Sequence, residues 1–374
     1  PYGNYEGTGT LNDNLSITFS DIYGKMGDSE VKGTYSQEWT PFNYEFILNG
    51  QCNPTDINNW MGAWWGEIWT DFEFHIDDVP LGDFIISGSW GEESNHSTVG
   101  EINVSNYKYK GVDLTNSNIK INVDAKQTIL SLNQIEHSMG VIEGLVKIPR
   151  KAARQTEQFK FKMIGDFPLN DGKNVLGDFI ESFLDDFNVT SIRVDTHGAV
   201  DLRSKNYDFP TTSDNNFQII TDTDKNGSWN GMKFSSFKGT IKKERNTLLV
   251  DFPTINTCNG KVSLFIDSNL SNNISNITLK SSNLKLSELF DSIKSYQSKT
   301  NKVLLTEKSS TSISENGVID FSVNATCSDF DLMSFNGTGK IKIMDKELSK
   351  IRLLGLLSNG LDELPLPFPS GTLK

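Results

Sequence analysis

The sequence predicts a mainly β protein: an elongated, curled antiparallel sheet, taco-like in section, that forms a β-groove with a few short covering helices. Three observations predict it. Apolar and polar residues alternate over stretches such as Gly100 to Val123 (GEINVSNYKYKGVDLTNSNIKINV), the period of two that marks a half-buried strand. The same texture, strand then Gly- or Asn-containing turn, returns around Gly239, Gly260 and Gly337. Apolar residues are 36% of the 374, a share that suits sheets with one wet face. Roughly twenty strands about 4.8 Å apart would span on the order of 100 Å if never closed. A sheet that long is expected to curl about its apolar face. A closed sandwich needs the same alternation and is the rival architecture.

The elements follow in order. Short strands open the chain, with alternation in Leu15-Ser-Ile17-Thr-Phe19 and again from Glu30 to Tyr35, and Phe42 to Leu48 makes a further strand. The texture then changes: Cys52 to Trp69 carries Trp60, Trp64, Trp65 and Trp69, with Asn53 or Thr55 able to cap a short helix near Asp56. Those tryptophans are candidates for packing that helix on the sheet, or for an aromatic contact with lipid or a partner. Phe72 to Ile76 and Phe84 to Trp90 resume the strands, and a long meander runs from Gly100 to Ile148. Phe159 to Gly165 leads into an apolar helix, Val175 to Phe187, and a second meander begins at Val189. Phe217 to Thr223 and Met232 to Ile241 read as the arms of a hairpin. Leu248 to Phe252, Val262 to Asp267 and Ile277 to Leu279 precede a helix from Leu286 to Tyr296. After a polar interruption, Val318 to Val323 and Thr338 to Ile343 are strands, Leu348 to Leu357 is a helix, and prolines 365, 367 and 369 leave the end extended. The expected division is an N-terminal β-meander unit with the Trp-rich helix (1–150), a middle β unit with short helices (151–297), and C-terminal strands with a closing helix (298–374), continuous with the middle unit and truncated.

The formal charge of −13 disfavours a nucleic-acid backbone as partner, and the basic stretch Lys147 to Arg154 reads as a solvated linker. Cys52, Cys258 and Cys327 form no C-x-x-C; one disulfide, for instance Cys258 to Cys327, is open, and spacing does not establish it. The chain begins with Pro and carries neither a signal peptide nor a membrane-spanning apolar run; it reads as processed, trimmed or a fragment, with any anchoring or targeting segment out of view.

Few residues gather as chemistry would need. Asp222-Thr-Asp224-Lys-Asn226-Gly227 opens like a calcium loop, but Lys233 stands where a bidentate Glu is expected and no helices flank it. A turn is the simpler reading. His75, His96, His137 and His197 are scattered, which argues against zinc. Glu67 with Asp71, or Asp185 with Asp186, are the acid pairs that an acidic chain generates freely. No nucleophile elbow, phosphate loop or dinucleotide fingerprint is present. The expectation is no enzyme, no cofactor and no metal.

The phrase Phe335-Asn-Gly337-Thr-Gly339-Lys-Ile341-Lys-Ile343, followed by Asp345-Lys-Glu-Leu348 and Ile351-Arg-Leu353-Leu354-Gly355-Leu356-Leu357-Ser358, resembles the C-terminal region of the AsmA-like family. Lys346 replaces a usual Gly and Arg352 a usual Pro. Looser matches are Asn53-Pro54 with the Trp-rich helix, and Gly111 to Leu114 with Leu130-Ser-Leu132 and Gly140 to Leu145. The texture is also similar to TamB-type and bridge-like lipid transfer proteins. The resemblance implies the periplasm of a diderm bacterium, an N-terminal inner-membrane anchor on the full protein, envelope protein partners, and a role in outer-membrane biogenesis.

On that reading the chain shelters the acyl chains of a phospholipid or other envelope lipid, with no catalytic residue. The lining candidates are Ile102, Val104, Ile119, Ile121, Val123, Val262, Leu264, Ile266, Ile341 and Ile343, which a closed core would equally use. Two alternatives stand beside it: an envelope structural or adhesin-like β protein, and a glycan-binding protein or enzyme that uses the tryptophans.

Overall fold

The computed structural model describes residues 4–12, 15–56, 69–75, 77–149, 158–169, 187–200, 215–300, 317–328 and 334–344. In chain order the strands are β1 (Asn4–Asn12), β2 (Ser16–Met26), β3 (Ser29–Glu38), β4 (Asn43–Gln51), β5 (Phe72–Phe74), β6 (Leu81–Ser89), β7 (Glu92–Tyr109) and β8 (Val112–Val123). There follow β9 (Gln127–His137), β10 (Gly140–Pro149), β11 (Phe159–Pro168), β12 (Phe187–Asn188), β13 (Ser191–Val200), β14 (Asn216–Thr223), β15 (Gly227–Trp229), β16 (Met232–Phe234) and β17 (Ser236–Glu244). The last are β18 (Thr247–Thr257), β19 (Gly260–Asn269), β20 (Ile274–Ser282), β21 (Leu284–Lys285), β22 (Val318–Ser328) and β23 (Asn336–Met344), with helix α1 (Leu286–Thr300) between β21 and β22. Two units divide the chain: Pro1–Leu184 with Ser191–Thr221 and Lys242–Asn246, and Asp185–Thr190 with Asp222–Ile241 and Thr247–Lys374.

In the first unit the strands pair antiparallel in the order β1-β2-β3-β4-β6-β7-β8-β9-β10-β11-β13, and β5 pairs with β7. Residues opposite one another in such a ladder point to the same face, so the register shows what each face carries. One row runs Leu48, Phe84, Gly100, Ile121, Leu130, Val146, Phe161, Gly198, each opposite the next. A parallel row runs Gly50, Gly82, Ile102, Ile119, Leu132, Gly144, Met163, Thr196. Between them, on the other face, lie Asn49, Asp83, Glu101, Lys120, Ser131, Leu145, Lys162 and His197. Alternation in sequence has become an apolar face and a polar face.

The polar face is knitted by side chains. Asn133 Nδ2 donates to Asn118 Oδ1 (2.6 Å), and Asn118 Nδ2 donates to Asn103 Oδ1 (2.7 Å), a ladder of amides across three strands. Asn49 donates to Asp83, and Lys120 meets Glu101 at 3.7 Å. Partnering polar groups across strands satisfies them without burial, as a wet face requires. Exposed Ile47, Ile85 and Val99, opposite one another, form an apolar stripe on this face, and Leu145 is a further apolar residue there.

In the second unit β18-β19-β20-β22-β23 pair antiparallel, with β21 added to β22, while β12, β15 and β16 form a small sheet. The rows Val250, Ile266, Ile277, Ala325, Gly337 and Phe252, Leu264, Leu279, Val323, Gly339 again share a face. Helix α1 covers one end of that face: Leu286 and Phe290 are buried against Cys258, Leu284 and Ile319, with Val262, Leu289, Phe321 and Ile343 packed around them. Leu286 and Phe290 stand four residues apart, so they fall on one side of the helix. Glu288 in the first turn suits the positive end of the helix dipole.

The expected curled, taco-like groove with several covering helices is corrected. Within each unit the sheet is neither curled nor closed, and α1 is the one long helix among the described residues. Mid-strand apolar side chains are half-buried, not sealed. The physical reason lies in the glycines. A Cβ placed on Gly82 or Gly100 would collide with the ring of Phe84, one on Gly239 with Phe252, and one on Gly198 with Phe161 and Phe217. Rings lie flat over the gaps that glycines leave, so the apolar face is partly covered from within its own layer. Curling is then not needed to shelter it.

Three further readings change. Leu15 is not in a strand: it sits at φ 53° before β2 and is exposed. Between Thr223 and Ser236 the chain inserts β15 and β16, which pair with each other, where a simple hairpin was expected. No disulfide forms, and all three cysteines are free thiols. Cys258 packs with Ile319, whereas Cys327 lies opposite Ser275. Eight residues along β22 separate those two ends, about 26 Å, far beyond disulfide reach.

Candidate functional site

The sequence-derived lining residues fall on the apolar faces. Ile102 lies opposite Ile119, Ile121 opposite Gly100, and Val123 opposite Thr98, in adjoining rows, with Val104 opposite Ser117 one row further. In the second unit Leu264 and Ile266 hold the two rows described above, Ile341 lies opposite Phe321, and Ile343 lies opposite Ile319. Val262 joins the cluster under α1. Gly337 and Gly339 of the C-terminal phrase lie opposite Ala325 and Val323, and a Cβ on Gly337 would meet the Asn324 carbonyl. Trp60, Trp64, Trp65, Leu353, Leu354 and Gly355 lie outside the described residues, as do Glu67, Asp185, Asp186, the helix expected over 348–357 and all of the helix expected from Val175 to Phe187 except Phe187, which is in β12.

At one end the face of the first unit is closed. Val104, Tyr107, Val112 and Leu114 are buried, and Phe72, Phe74, Tyr109 and Ile135 pack on them. Trp69 packs tilted on this corner, its ring 5.1 Å from that of Phe72 and 5.9 Å from that of Phe74. The Tyr107 hydroxyl bonds Ser117 Oγ at 2.7 Å; burial pushes its pKa up and that hydrogen bond pulls the other way. Beyond this corner Phe84, Ile121, Leu130 and Val146 of the rows are half-buried. Among the described elements of the first unit, the substantial strand contacts are those between hydrogen-bonded neighbours.

The four histidines stay apart. His75 lies near Asp77 and Asp78, both at 3.9 Å, and His96 meets the Tyr44 hydroxyl at 3.0 Å. His137 is buried, with Nδ1 accepting the Met139 N–H (3.1 Å) and Nε2 donating to the Asp166 carbonyl (2.6 Å). At the calcium-like stretch, the Lys225 N–H donates to Thr223 Oγ1, and Lys225 Nζ lies 3.5 Å from Asp224. Asp222 lies in β14, and Asp224 and Asn226 belong to the turn before β15. Among the described residues no group of three His, Cys, Asp or Glu side chains could hold a metal ion, and no helix is long and apolar enough to cross a membrane.

Two recesses lie in the second unit. One, of about 760 Å³, is lined by Lys233, Phe234, Thr257, Cys258, Lys261 and Glu288 among others. The other, of about 300 Å³, holds Asp251, Phe265, Thr278 and Lys280 on the polar face.

Sequence reasoning missed the aromatic half of the face: Phe19, Tyr35, Phe46 and Ile86, opposite one another across β2, β3, β4 and β6. Their signal was present, since each stands in an alternating run, but the aliphatic-rich meander drew the choice. No known protein family model, curated protein or solved structure matches this chain.

Proposed function

We propose that this chain is a non-enzymatic lipid-handling protein that holds acyl chains along the apolar face of its antiparallel sheet. The observation that supports the reading most is register. Apolar residues stand opposite apolar residues or glycines from β4 to β11, while the reverse face is charged and amide-bonded. A row crossing those seven strands spans about 29 Å, against about 15 Å for the acyl layer of one bilayer leaflet. One acyl chain therefore fits along a row with room to move. Burying a CH₂ fully gains about 0.8 kcal/mol; an open face covers one side of the chain and gains a fraction of that. Many similar weak positions favour exchange over permanent capture.

The resemblance of the Phe335-to-Ser358 phrase to AsmA-like proteins extends the proposal to the periplasm of a diderm bacterium and to outer-membrane biogenesis. The test is lipid mass spectrometry on gently purified protein, together with uptake of a fluorescent phospholipid. Co-purifying lipid that exchanges with the fluorescent one is expected. Protein with an intact β spectrum that neither carries nor takes up lipid contradicts the proposal.

A further inference from the structure

One rim of the first unit collects exposed large apolar residues on its turns. Leu15 precedes β2, Trp39 follows β3, Phe42 precedes β4, and Trp90 follows β6; their exposures are 62%, 44%, 47% and 49%. They are neighbours by backbone bonding. The Trp39 N–H donates to the Leu15 carbonyl (3.1 Å), and the Trp90 N–H donates to the Phe42 carbonyl (2.9 Å). Because β2, β3, β4 and β6 are consecutive in the sheet, both pairs lie on the same strand ends.

The rim is held in shape from beneath. Gln37, buried, accepts from the Tyr35 hydroxyl (2.7 Å) and from Trp90 Nε1 (2.5 Å), and its own Nε2 donates to the carbonyls of Glu38 (2.6 Å) and Asn43 (2.8 Å). The Tyr44 ring packs on Trp90, with centroids 4.6 Å apart. Trp90 thus has its polar N–H satisfied and its indole fixed, leaving apolar ring in water. Ordinary core packing does not call for four such residues on adjacent turns, and exposed apolar clusters of this kind mark interaction sites.

We propose that this rim docks on a lipid bilayer, with Leu15, Trp39, Phe42 and Trp90 entering the interfacial region. Trp is the side chain most suited to that layer, apolar in body and hydrogen-bonding at one end. The charged residues that flank Trp39 and Trp90 in sequence, Glu38 and Glu92, are acidic and exposed, in a chain of net charge −13. Attraction to anionic headgroups is therefore not the driving force, and zwitterionic lipid is the fitting surface. These residues are not those assigned to acyl-chain rows, so docking can succeed or fail independently of acyl-chain binding.

The experiment is sedimentation of the full chain with sucrose-loaded phosphatidylcholine vesicles, and with vesicles containing phosphatidylglycerol, at low and high salt. Dibromo-lipid quenching of tryptophan emission is measured alongside. Binding to phosphatidylcholine that survives salt, with quenching, is expected. Trp39→Ala/Phe42→Ala should weaken it at least about tenfold, while Val99→Ser, on the exposed polar-face stripe, should leave it unchanged. The proposal is overturned if folded wild-type protein does not sediment, or if it binds only phosphatidylglycerol vesicles and releases them in salt. Equal binding by the rim variant, or equal loss in Val99→Ser, overturns it too.

Discussion

The ring of Phe84 lies over the α-carbon of Gly100, its direct partner on the next strand, and over Gly82 two residues before it. Gly100 has no side chain because that space is already filled by a ring from β6. Gly100→Val is expected to force the ring upright and destabilise the first unit by about 1–3 kcal/mol, the usual cost of overpacking. Urea midpoints checked by circular dichroism would show it. A shift no larger than that of an exposed substitution such as Lys120→Ala would mean the ring moves freely.

Leu284 is 1% exposed beneath α1 and touches the cluster that joins the helix to β21 and β22. Leu284→Ala should cost about 2–5 kcal/mol. Hydrogen exchange should place the loss on α1 and β22 before the rest of the second unit. Loss spread evenly over that unit would show that the cluster is no local anchor.

Both nitrogens of His137 are committed to backbone groups, one as acceptor and one as donor. Only the neutral Nε2–H tautomer satisfies both. Long-range ¹H–¹⁵N correlation at neutral pH should report that tautomer. His137→Phe, which removes the hydrogen bonds of a buried ring to the Asp166 carbonyl and the Met139 N–H, should destabilise by about 1–3 kcal/mol.

Asp124 closes the β8–β9 turn by accepting the N–H groups of Lys126 (2.7 Å) and Gln127 (2.8 Å) through Oδ1. The Gln127 bond, then that of Lys126, holds its pKa below the ordinary aspartate value. A depressed folded pKa stabilises above the unfolded value, near 3.9, and the contribution is lost as pH falls through the folded value. Carboxyl ¹³C titration should therefore give a midpoint below that of a model aspartate. Asp124→Asn should lose the low-pH midpoint and leave the turn weaker at pH 7.

Cys258 and Cys327 occupy opposite ends of the second unit's sheet, and both are buried. Thiol titration should find three free thiols in denaturant, with those two reacting slowly in the native protein. Cys52, half-buried, has its thiol pushed up by burial, an effect that the Ser29 hydrogen bond opposes and Asp56 reinforces. It should alkylate slowly at neutral pH because little thiolate is present.

Much of the strand order was legible, since a period of two survives in the side chains and many of the turns carry Gly or Asn. Helix α1 was legible from its apolar run, although it continues to Thr300 and not only to Tyr296. Curl was not legible. It depends on whether an apolar face is covered by other layers or from within, and that depends on which residue a glycine faces across the ladder. Sequence spacing shows Phe84 and Gly100 sixteen positions apart; register alone makes them partners. Leu15 and Phe42 misled for a related reason. Read as the first residues of strands they continue the alternation, but each precedes its strand and points its bulk into water.

The central claim is that one face of the sheet, and not the other, receives acyl chains. Adjacent residues on β8 test it, because Ile121 and Lys120 point to opposite faces. Binding of a fluorescent fatty acid would be measured for Ile121→Asp and Lys120→Asp, both verified as folded. Selective loss in Ile121→Asp, with Lys120→Asp binding as the wild type does, is the predicted result. Equal binding by both variants, or none by the wild type, would contradict the claim.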